Sequence, residues 1–393
     1  MSEKRLNPVY SVISREFSRI WFDRVYLFTW IIAPLVSFTL IVLIFSANVP
    51  RKLPVAILDQ DQTALSRRIV RMIGATSIAN PDCKYTDAAS AQKSLVSGKA
   101  DAFVWIPKGT ERRIMRGEHA DVAVYFNNVY LIKAGLLKSG IQKAIATLST
   151  AIKLQTHMQS GESSSRAMSK IQAVQLTPVL LFNPFTSYEY YLTLLLLPVM
   201  LTVFVLFGTI YALGTELQYG TGPGWLASAN DRMWWALAGK IFPHAVAYSI
   251  LALIMNLVFF KVLGLPLKGH FTLILLSEIV LILSYQSMAI FLVTLTRNLR
   301  LALSLASAYT MLALTFAGLT FPVFGMPPAA QVFSRIFPFT YWLELFVGQT
   351  LRAEPLAYAL KQIWLLMVFI IAGLCMVPRL EYLLRNKKYW GKI

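Results

Sequence analysis

Six stretches of this chain are apolar over lengths that suit a lipid bilayer. A transmembrane helix needs about 20 apolar residues, because roughly 30 Å of hydrocarbon is crossed at about 1.5 Å per residue. Glu278 is the single charged residue within these stretches, which are residues 25–46, 190–215, 241–260, 271–296, 301–321 and 363–378. The pattern therefore predicts an α-helical integral membrane protein with six transmembrane helices.

The residues before the first apolar stretch alternate between apolar and charged at helical intervals. This pattern predicts an amphipathic helix within residues 1–24 that lies in the cytoplasmic interface, with Arg15, Arg19 and Trp21 as its interfacial anchors. The first apolar stretch ends without a small-residue cleavage site. We therefore expect residues 25–46 to be retained as the first transmembrane helix.

Residues 47–190 are less apolar and have a different periodicity. Short runs typical of buried strands alternate there with helical runs. The predicted strands are residues 53–59, 100–107 and 121–128, and the predicted helices are residues 64–73, 87–96, 110–116 and 131–158. Such alternation indicates a small α/β domain with a helical stalk, in which residues 161–166 form a flexible loop.

Composition and charge indicate how the chain lies in the membrane. Hydrophobic residues make up 56% and charged residues 14% of the 393 positions, which is too apolar for a soluble domain. If both termini are cytoplasmic, 14 basic residues fall in inner segments, 5 in short outer loops and 18 in residues 47–190. Since short basic loops stay on the cytoplasmic side, we expect a multi-pass protein of the bacterial inner membrane with residues 47–190 extracytoplasmic. Transmembrane helices two to six would then lie within residues 191–378, before a basic cytoplasmic tail at residues 379–393.

The formal net charge of +18 also indicates which partners to expect. The basic residues are dispersed along a hydrophobic chain and not clustered in one patch. This distribution favours contact with anionic lipid and argues against nucleic-acid binding.

Residues 214–240 form a short polar segment between the second and third apolar stretches. The segment contains Glu216, Asp231 and Arg232, a Gly-Pro-Gly break and a group of tryptophans. It is too short to hold a catalytic domain, and loops on a rigid scaffold often carry function. We interpret it as the place where another protein acts on the membrane helices; the alternative is that its charges only solvate a turn.

The sequence contains no pattern that indicates catalysis. The phosphate loop GxxxxGK[ST] does not occur, so we expect this chain to be no enzyme and to bind no ATP by that motif. Cys83 and Cys375 do not lie in a metal-ligand spacing, and no metal site is expected. Asp59 and Asp61 form a carboxylate pair at a strand end, where aspartate more often has a role in turns and caps.

Glu278 lies about two helical turns into the fourth apolar stretch, where an ionisable side chain is costly and often functional. It could instead pair with Ser284, Tyr285 or a neighbouring helix and fix the packing. The sequence leaves both interpretations open.

Residues 322–361 do not resemble a simple outer loop. The segment is apolar and aromatic, but Pro322, Pro327 and Pro338 break it into pieces too short to span a bilayer. We predict re-entrant helices that enter from the outer face, with Tyr341 and Trp342 at the level of the lipid headgroups.

Four features occur in a consistent order along the chain. They are Glu216 followed by Gly220, Thr221 and Leu226; TFPVFGMP at residues 320–327 before IFPFTYWLE at 336–344; NPFTSYEYYL at 183–192; and LPVAILDQDQT at 53–63 with KADAFVWIP at 99–107. Together they resemble the ABC-2 permease family, the membrane subunits of type-2 ABC exporters, in the branch with a large extracytoplasmic domain between the first two transmembrane helices. One departure is that Gly222, Pro223 and Gly224 follow Thr221, so we expect the next helix to begin near Trp225.

The resemblance implies that a separate ABC ATPase subunit, which binds ATP and magnesium, docks on residues 214–240 and on the N-terminal helix. The residues that it implies for coupling are Glu216, Gly220, Thr221, Trp225, Leu226, Asp231 and Arg232. Trp225 and Leu226 would be apolar anchors for the ATPase. The resemblance further implies that two permease chains, identical or homologous, form the pathway, and it is compatible with a periplasmic adaptor on the outer domain.

Two other functions are weighed against ATP-driven export. The first is a non-transporting membrane receptor or scaffold that binds a partner through the α/β domain. The second is an ion-coupled carrier that uses Glu278, which is disfavoured because such carriers have repeated broken helices. The composition weakly favours an amphipathic or lipid-linked cargo and does not identify it.

Overall fold

The computed structural model describes residues 8–45, 51–116, 118–129, 131–159, 188–319 and 321–391. The chain divides into two compact units, a helical unit (Met1–Asn48 with Leu181–Ile393) and an α/β unit (Val49–Leu180). The predicted flexible loop at residues 161–166 and residues 183–187 of the NPFTSYEYYL motif lie outside the described residues.

The chain enters the helical unit with an amphipathic helix, α1 (Pro8–Phe22), and continues in α2 (Arg24–Phe45). The buried residues of α1 are Val12, Glu16 and Ile20, which recur every four positions along one face. Asp23 separates the two helices because its carboxylate accepts the backbone N–H of Val25 as an N-cap.

The α/β unit alternates strands and helices, as the sequence predicts. Its elements are β1 (Leu53–Asp59), α3 (Ala64–Gly74), β2 (Ala79–Asp82), α4 (Ala88–Val96), β3 (Ala102–Ile106), α5 (Thr110–Met115), β4 (Ala123–Phe126) and α6 (Leu131–Gln159). The short strand β2 is an addition to the prediction. Asp87 is the N-cap of α4, since its carboxylate accepts the backbone N–H of Ser90.

The four strands form one sheet in the order β2-β1-β3-β4. Strand β1 is parallel to both β2 and β3, and β4 is antiparallel to β3. Both faces of the sheet are covered: Val55 and Ile57 pack in a cluster with α3 and α6, and Ala56 and Leu58 pack with α4. Burial on both faces explains why these strands are almost continuously apolar.

The remaining elements of the helical unit follow residue 187. They are α7 (Tyr188–Gln218), α8 (Gly222–Ser228), α9 (Met233–Leu257), α10 (Phe271–Thr296), α11 (Leu299–Phe316), α12 (Pro328–Ser334), α13 (Pro338–Val347), α14 (Leu356–Leu374) and α15 (Val377–Arg385). Among the described residues, six helices are long and apolar enough to cross a membrane, which confirms the predicted number. They are α2, α7, α9 with its π-helical extension to Val262, α10, α11 and the segment Leu356–Arg385.

Helices α7 and α10 form the centre of the helical unit and are largely buried, whereas α2, α11 and α14 are mostly exposed on its outside. In a protein that lies in lipid, exposed apolar side chains need no cover from other protein. The polar backbone of each long helix is satisfied internally, as a bilayer requires.

The segment between α11 and α14 reaches into the middle of the helical unit. The ring of Tyr309, halfway along α11, lies 5.0 Å from the ring of Phe337, and its hydroxyl donates to the carbonyl of Ile336 at 3.0 Å. At the other end of α13, the N–H of Gly269, just before α10, donates to the carbonyl of Gln349 at 2.7 Å. Helix α13 therefore extends from the residues just before the start of α10 to the middle of α11.

Candidate functional site

Five charged side chains from three helices meet at one end of the helical unit. Arg15, Glu16 and Arg19 belong to α1, Glu216 belongs to the last turn of α7, and Lys240 lies two turns into α9. We call these five residues the charge cluster. The cluster joins elements that lie about 200 positions apart in the sequence.

Glu216 is the centre of the charge cluster, and its side chain is fully buried. Arg15 donates to both of its carboxylate oxygens, at 2.9 and 3.2 Å. Arg19 pairs with Oε1, and the hydroxyl of Thr221 donates to Oε2. A carboxylate held by two guanidinium groups and a hydroxyl is strongly oriented, because guanidinium forks fit carboxylates in a fixed geometry.

Lys240 connects the two acidic residues. Its ammonium contacts Oε1 of Glu16 and lies 3.0 Å from Oε1 of Glu216. The same Nζ lies 4.8 Å from the centre of the Trp225 ring, which adds a cation–π contact. An ammonium with 1% exposure is tolerable only when opposite charges accompany it.

Arg19 remains charged within this arrangement. Burial lowers its pKa, but the negative charge of Glu216, with a smaller contribution from Glu16, raises it further, so that the net shift is upward. Its Nη2 also donates to the hydroxyl of Thr215 at 3.1 Å. Three cations and two anions leave the charge cluster with a formal charge of +1.

Close backbone packing brings α1 to the charge cluster. A Cβ on Gly239 of α9 would lie 2.7 Å from the Cβ of Val12 and 3.0 Å from the carbonyl oxygen of Val9. Only glycine allows the two helices to approach so closely. Glu16 then faces α9, because it follows Val12 by one helical turn on the same side of α1.

The loop after Glu216 is covered by the C-terminal segment. Gly220 has a φ of 66°, and a Cβ there would lie 2.8 Å from the Trp390 ring. The indole N–H of Trp390 donates to the carbonyl of Leu384 at 3.1 Å, and the N–H of Gly391 donates to the carbonyl of Leu217 at 3.3 Å. The loop, α15 and the residues after α15 therefore form one packed structure.

The expectation that the next helix begins near Trp225 is wrong, because α8 begins at Gly222. Pro223 lies in its first turn, where the missing N–H costs nothing and the fixed φ suits a helix. Gly222 is needed at this point because a Cβ would lie 2.9 Å from Leu384.

The structure divides the predicted coupling residues into two groups. Trp225 and Leu226 are fully buried, and the indole N–H of Trp225 donates to the carbonyl of Ala236 at 3.2 Å. Asp231 and Arg232 are exposed, and Asp231 pairs with Arg385 at 3.5 Å. Trp225 and Leu226 therefore hold the loop in place from within, and are not surface anchors in this structure.

The predicted interfacial anchors of α1 are divided in the same way. Arg15 and Arg19 belong to the charge cluster, with 26% and 24% of their side chains exposed. Trp21 is 76% exposed and points away from it.

Sequence reasoning missed Glu16 and Lys240. A signal for Glu16 was present, because it falls between Val12 and Ile20 at the spacing of the buried face of α1. Lys240 was placed at the edge of an apolar stretch, whereas α9 begins at Met233 and carries Lys240 inside the helix. A charged residue within a buried face needs an opposite charge, and that requirement points to the pair.

Glu278 pairs with a neighbouring helix. The amide Nδ2 of Asn256, on α9, donates to its Oε2 at 2.7 Å, and the glutamate is 1% exposed. This contact matches the packing interpretation of Glu278. Glu278 is not part of the charge cluster.

The predicted re-entrant residues have different surroundings. Pro327 directly precedes α12 and Pro338 is the first residue of α13, while Pro322 precedes a short 3₁₀ turn. Tyr341 is half-buried, and its hydroxyl donates to the carbonyl of Arg335 at 3.1 Å. Trp342 is fully buried between Phe339 and Phe346, so its side chain packs against protein; its predicted level in the membrane stays a prediction.

In the α/β unit, the two candidate carboxylates have structural roles. Asp59 accepts the N–H groups of Asp61 and Gln62 in a turn. Asp61 accepts the N–H groups of Gly109, Thr110 and Glu111, at 2.7, 3.1 and 3.0 Å, and so caps the start of α5. Among the described residues, no group of three His, Cys, Asp or Glu side chains is placed to hold a metal ion.

A family model described as ABC-2 family transporter protein matches residues 24–377. No curated protein sequence matches the chain significantly. The matched range includes Glu216, Thr221 and Lys240 and ends before most of α15.

Proposed function

The chain belongs to the ABC-2 family of transporter membrane proteins, and from that premise we propose that it is the permease subunit of an ATP-driven exporter. A multi-pass membrane protein of this family works with an ABC ATPase. In the proposal that ATPase is a separate subunit that binds ATP and magnesium, and this chain forms part of the pathway through the bacterial inner membrane.

The charge cluster is the observation that carries the proposal. It ties α1 to the end of α7 and to α9 through buried, charge-assisted contacts. Glu216 accepts hydrogen bonds from Arg15 of α1 and from Thr221, directly before α8. A displacement of α1 or α8 would therefore also displace α7 and α9. A subunit that docks on this end can therefore move two membrane-spanning helices at once.

The exposed side chains at this end are the proposed contacts with the ATPase. Asp231 and Arg232 lie on the loop between α8 and α9, and Tyr219 is 68% exposed beside Gly220. Glu216, Gly220, Thr221, Trp225 and Leu226 contribute by holding the loop in shape. Loops held by a rigid scaffold are well suited to such a role.

The same end of the helical unit supports the proposed orientation in the membrane. The segments predicted to be cytoplasmic come together here: α1, the α8 loop, α15 and the turn at Arg297, whose guanidinium lies 5.3 Å from the Tyr389 ring. Their shared location favours both termini on the cytoplasmic side. The α/β unit would then be extracytoplasmic, where an adaptor could reach it.

Two further parts of the proposal concern the pathway. Helix α13 extends from the start of α10 to the middle of α11, and this position supports a re-entrant arrangement of residues 322–361. Helix α11 packs on α7 through one face and exposes Leu301, Leu305 and Met311 on the other. That exposed face is a candidate contact with a second permease chain.

The test is the conservative variant Glu216→Gln in the reconstituted complex with its ATPase. The amide keeps the shape but loses the charge, so that Arg15, Arg19 and Lys240 lose their common partner. We expect vanadate-sensitive ATP hydrolysis to fall by more than about tenfold, because α1 loses its charge-assisted link to α7 and α9, and coupling between sites is typically worth about 5–150-fold.

Glu381→Gln is the matched control. Glu381 lies at the same end on α15 and pairs with Arg385 on the surface at 2.9 Å, with a third of its side chain exposed. Such surface pairs contribute about 0–1 kcal/mol, and we expect wild-type hydrolysis. If both variants reach the membrane and hydrolyse ATP at the wild-type rate, the coupling role of the charge cluster is wrong.

A further inference from the structure

A narrow crevice opens on the outside of the helical unit between α9, α10 and α14. Its volume is about 350 Å³, and its lining is almost wholly apolar, with Ile241, Leu283 and Ile370 among the lining residues. Trp234 and Phe242 also line it and are 56% and 58% exposed, so the crevice is open to the surroundings of the helices.

The crevice has the depth of one lipid leaflet. On α9 its lining runs from Trp234 to Ala245, which is about 16 Å at 1.5 Å per residue. The hydrocarbon of one leaflet is about 15 Å thick, half of the bilayer core. Lys240 of the charge cluster falls within this stretch of α9, so the crevice lies beside the cluster and opens towards the leaflet on that side.

Two cations stand at the end of the crevice where α9 begins. Arg232 directly precedes α9 and Arg379 lies in the first turn of α15, and both are exposed. The nearby acids Asp231 and Glu381 pair with Arg385. Within the described parts of the chain, neither Arg232 nor Arg379 has an ion pair, so both charges are available to an anion at the membrane surface.

We propose that this crevice binds one acyl chain of an anionic phospholipid, whose headgroup phosphate contacts Arg232 and Arg379. An apolar groove that is about as long as one leaflet is thick fits an acyl chain. The two arginines at its end attract an anionic headgroup. That the leaflet is the cytoplasmic one rests on the proposed function; the lipid site itself does not.

Gln286, at the floor of the crevice, allows a bound lipid to be distinguished from a polar transported cargo. It is 1% exposed, its Nε2 is 3.4 Å from the carbonyl of Ile241, and its Oε1 has no hydrogen-bond partner among the described residues. A transported cargo with a hydroxyl or amide would bind that oxygen. An acyl chain would not, so replacement of Gln286 separates the two.

The test counts phospholipids bound to the purified chain by native mass spectrometry, after reconstitution with phosphatidylglycerol or phosphatidylcholine. Ala238→Trp fills the crevice from an exposed position on α9. We expect it to remove one bound phosphatidylglycerol per chain. Ile250→Trp, on the same helix and 53% exposed but outside the crevice, is the control and retains the lipid.

The headgroup contact is tested by Arg232→Gln and Arg379→Gln. Each arginine near a membrane surface contributes about 1 kcal/mol of attraction, so we expect each variant to lower the preference for phosphatidylglycerol by about fivefold. Arg300→Gln removes an exposed charge from a different inner turn and should leave the preference unchanged.

Gln286→Leu should retain the bound lipid, since an acyl chain makes no use of the amide. The proposal is overturned if Ala238→Trp keeps the same number of lipids, if the arginine variants keep the same preference, or if Gln286→Leu loses the lipid. Because binding is measured without the ATPase, these results are independent of whether the proposed coupling is correct.

Discussion

Lys240 and Glu216 meet inside the protein, with 3.0 Å between Nζ and Oε1 and side chains that are 1% and 0% exposed. They belong to two helices that cross the helical unit, and Glu16 of the N-terminal helix contacts the same ammonium. Each of these charges is tolerable only because the others are present. The contact that links the helices is therefore also sensitive to the loss of any one of these side chains.

The first prediction concerns the loss of that ammonium. Lys240→Met keeps much of the apolar stem but removes the nearest cation from Glu16, which retains Arg15 at 3.3 Å and Arg19 at 3.7 Å. We expect the free energy of unfolding to fall, by less than the roughly 3–5 kcal/mol that a buried carboxylate left with no cation would cost. Thermal unfolding of the detergent-solubilised protein measures this change.

The double variant Lys240→Met with Glu16→Gln is the control for that prediction. It removes both charges of the contact, so no carboxylate remains there without its ammonium, and part of the lost stability should return. A double variant no more stable than Lys240→Met alone would mean that the two charges do not depend on one another.

A second prediction uses two glycines with the same backbone conformation. Gly220 and Gly391 both have a φ of 66°, but a Cβ on Gly220 would meet Trp390, whereas a Cβ on Gly391 has open space around it. Alanine at either position costs about 1–2 kcal/mol of backbone strain. Only Gly220→Ala should also displace the Trp390 ring and expose the C-terminal residues.

Limited proteolysis of the C-terminal segment distinguishes the two variants. We expect faster cleavage after α15 in Gly220→Ala than in Gly391→Ala. Equal cleavage rates would show that the contact with Trp390 does not hold the segment in place.

Much of the fold could be predicted from periodicity alone. The bounds of α10 and β1 agree with the prediction at both ends, because a long apolar run between polar turns leaves little choice of limits. Strand β2 was missed because Asn80 and Pro81 are poor strand formers. Proline is accepted there because β2 is the edge strand of the sheet.

The charge cluster could be predicted only in part. Glu216 was recognised from its motif, but its partners Arg15 and Arg19 lie about 200 positions earlier and were expected at the membrane interface. Trp342 was expected at the headgroups because tryptophan is common there. Which side of a helix faces inward depends on the neighbouring helices, and a local pattern does not contain that information.

The third prediction compares two adjacent aromatic residues of α13. Trp342 is fully buried and stacks on Phe346 at 4.8 Å, whereas Tyr341 is only half-buried. Trp342→Ala should lower the free energy of unfolding by about 3–5 kcal/mol through the cavity that it leaves. Tyr341→Ala should cost clearly less in the same thermal unfolding experiment; a larger cost for Tyr341→Ala would contradict the position of α13.

A fourth prediction concerns the acid sensitivity of the α/β unit. Burial by itself would raise the pKa of Asp61, but hydrogen bonds from the N–H of Glu111, the hydroxyl of Thr63 and the N–H of Gly109 lower it below its usual value. Since the folded pKa lies below the unfolded one, this carboxylate stabilises the start of α5 above about pH 4. The stabilisation is lost as the pH falls through the folded pKa.

Hydrogen exchange of the α5 amides at several pH values measures this effect. Asp61→Asn should increase their exchange at pH 7, and the difference from wild type should shrink below pH 4. Asp87→Asn is the control, because Asp87 caps α4, so the exchange of the α5 amides should stay at the wild-type level. A difference for Asp61→Asn that is independent of pH would mean that its charge is not what holds the helix start.

The final prediction tests the orientation of the chain with its own two cysteines, Cys83 in the α/β unit and Cys375 at the end of α14, both free and exposed. If the α/β unit is extracytoplasmic, a membrane-impermeant maleimide added to intact cells labels Cys83 and not Cys375. Burial and the neighbouring charges of Asp59 and Asp82 raise the pKa of Cys83, so its labelling should be slow at pH 7 and faster as the pH rises. In a chain with Cys83→Ser and Cys375→Ser, Tyr382→Cys places a single aqueous reporter on the exposed side of α15, and it should react only after the membrane is permeabilised. Labelling of that reporter in intact cells would place the charge cluster outside, where no ATPase could reach it.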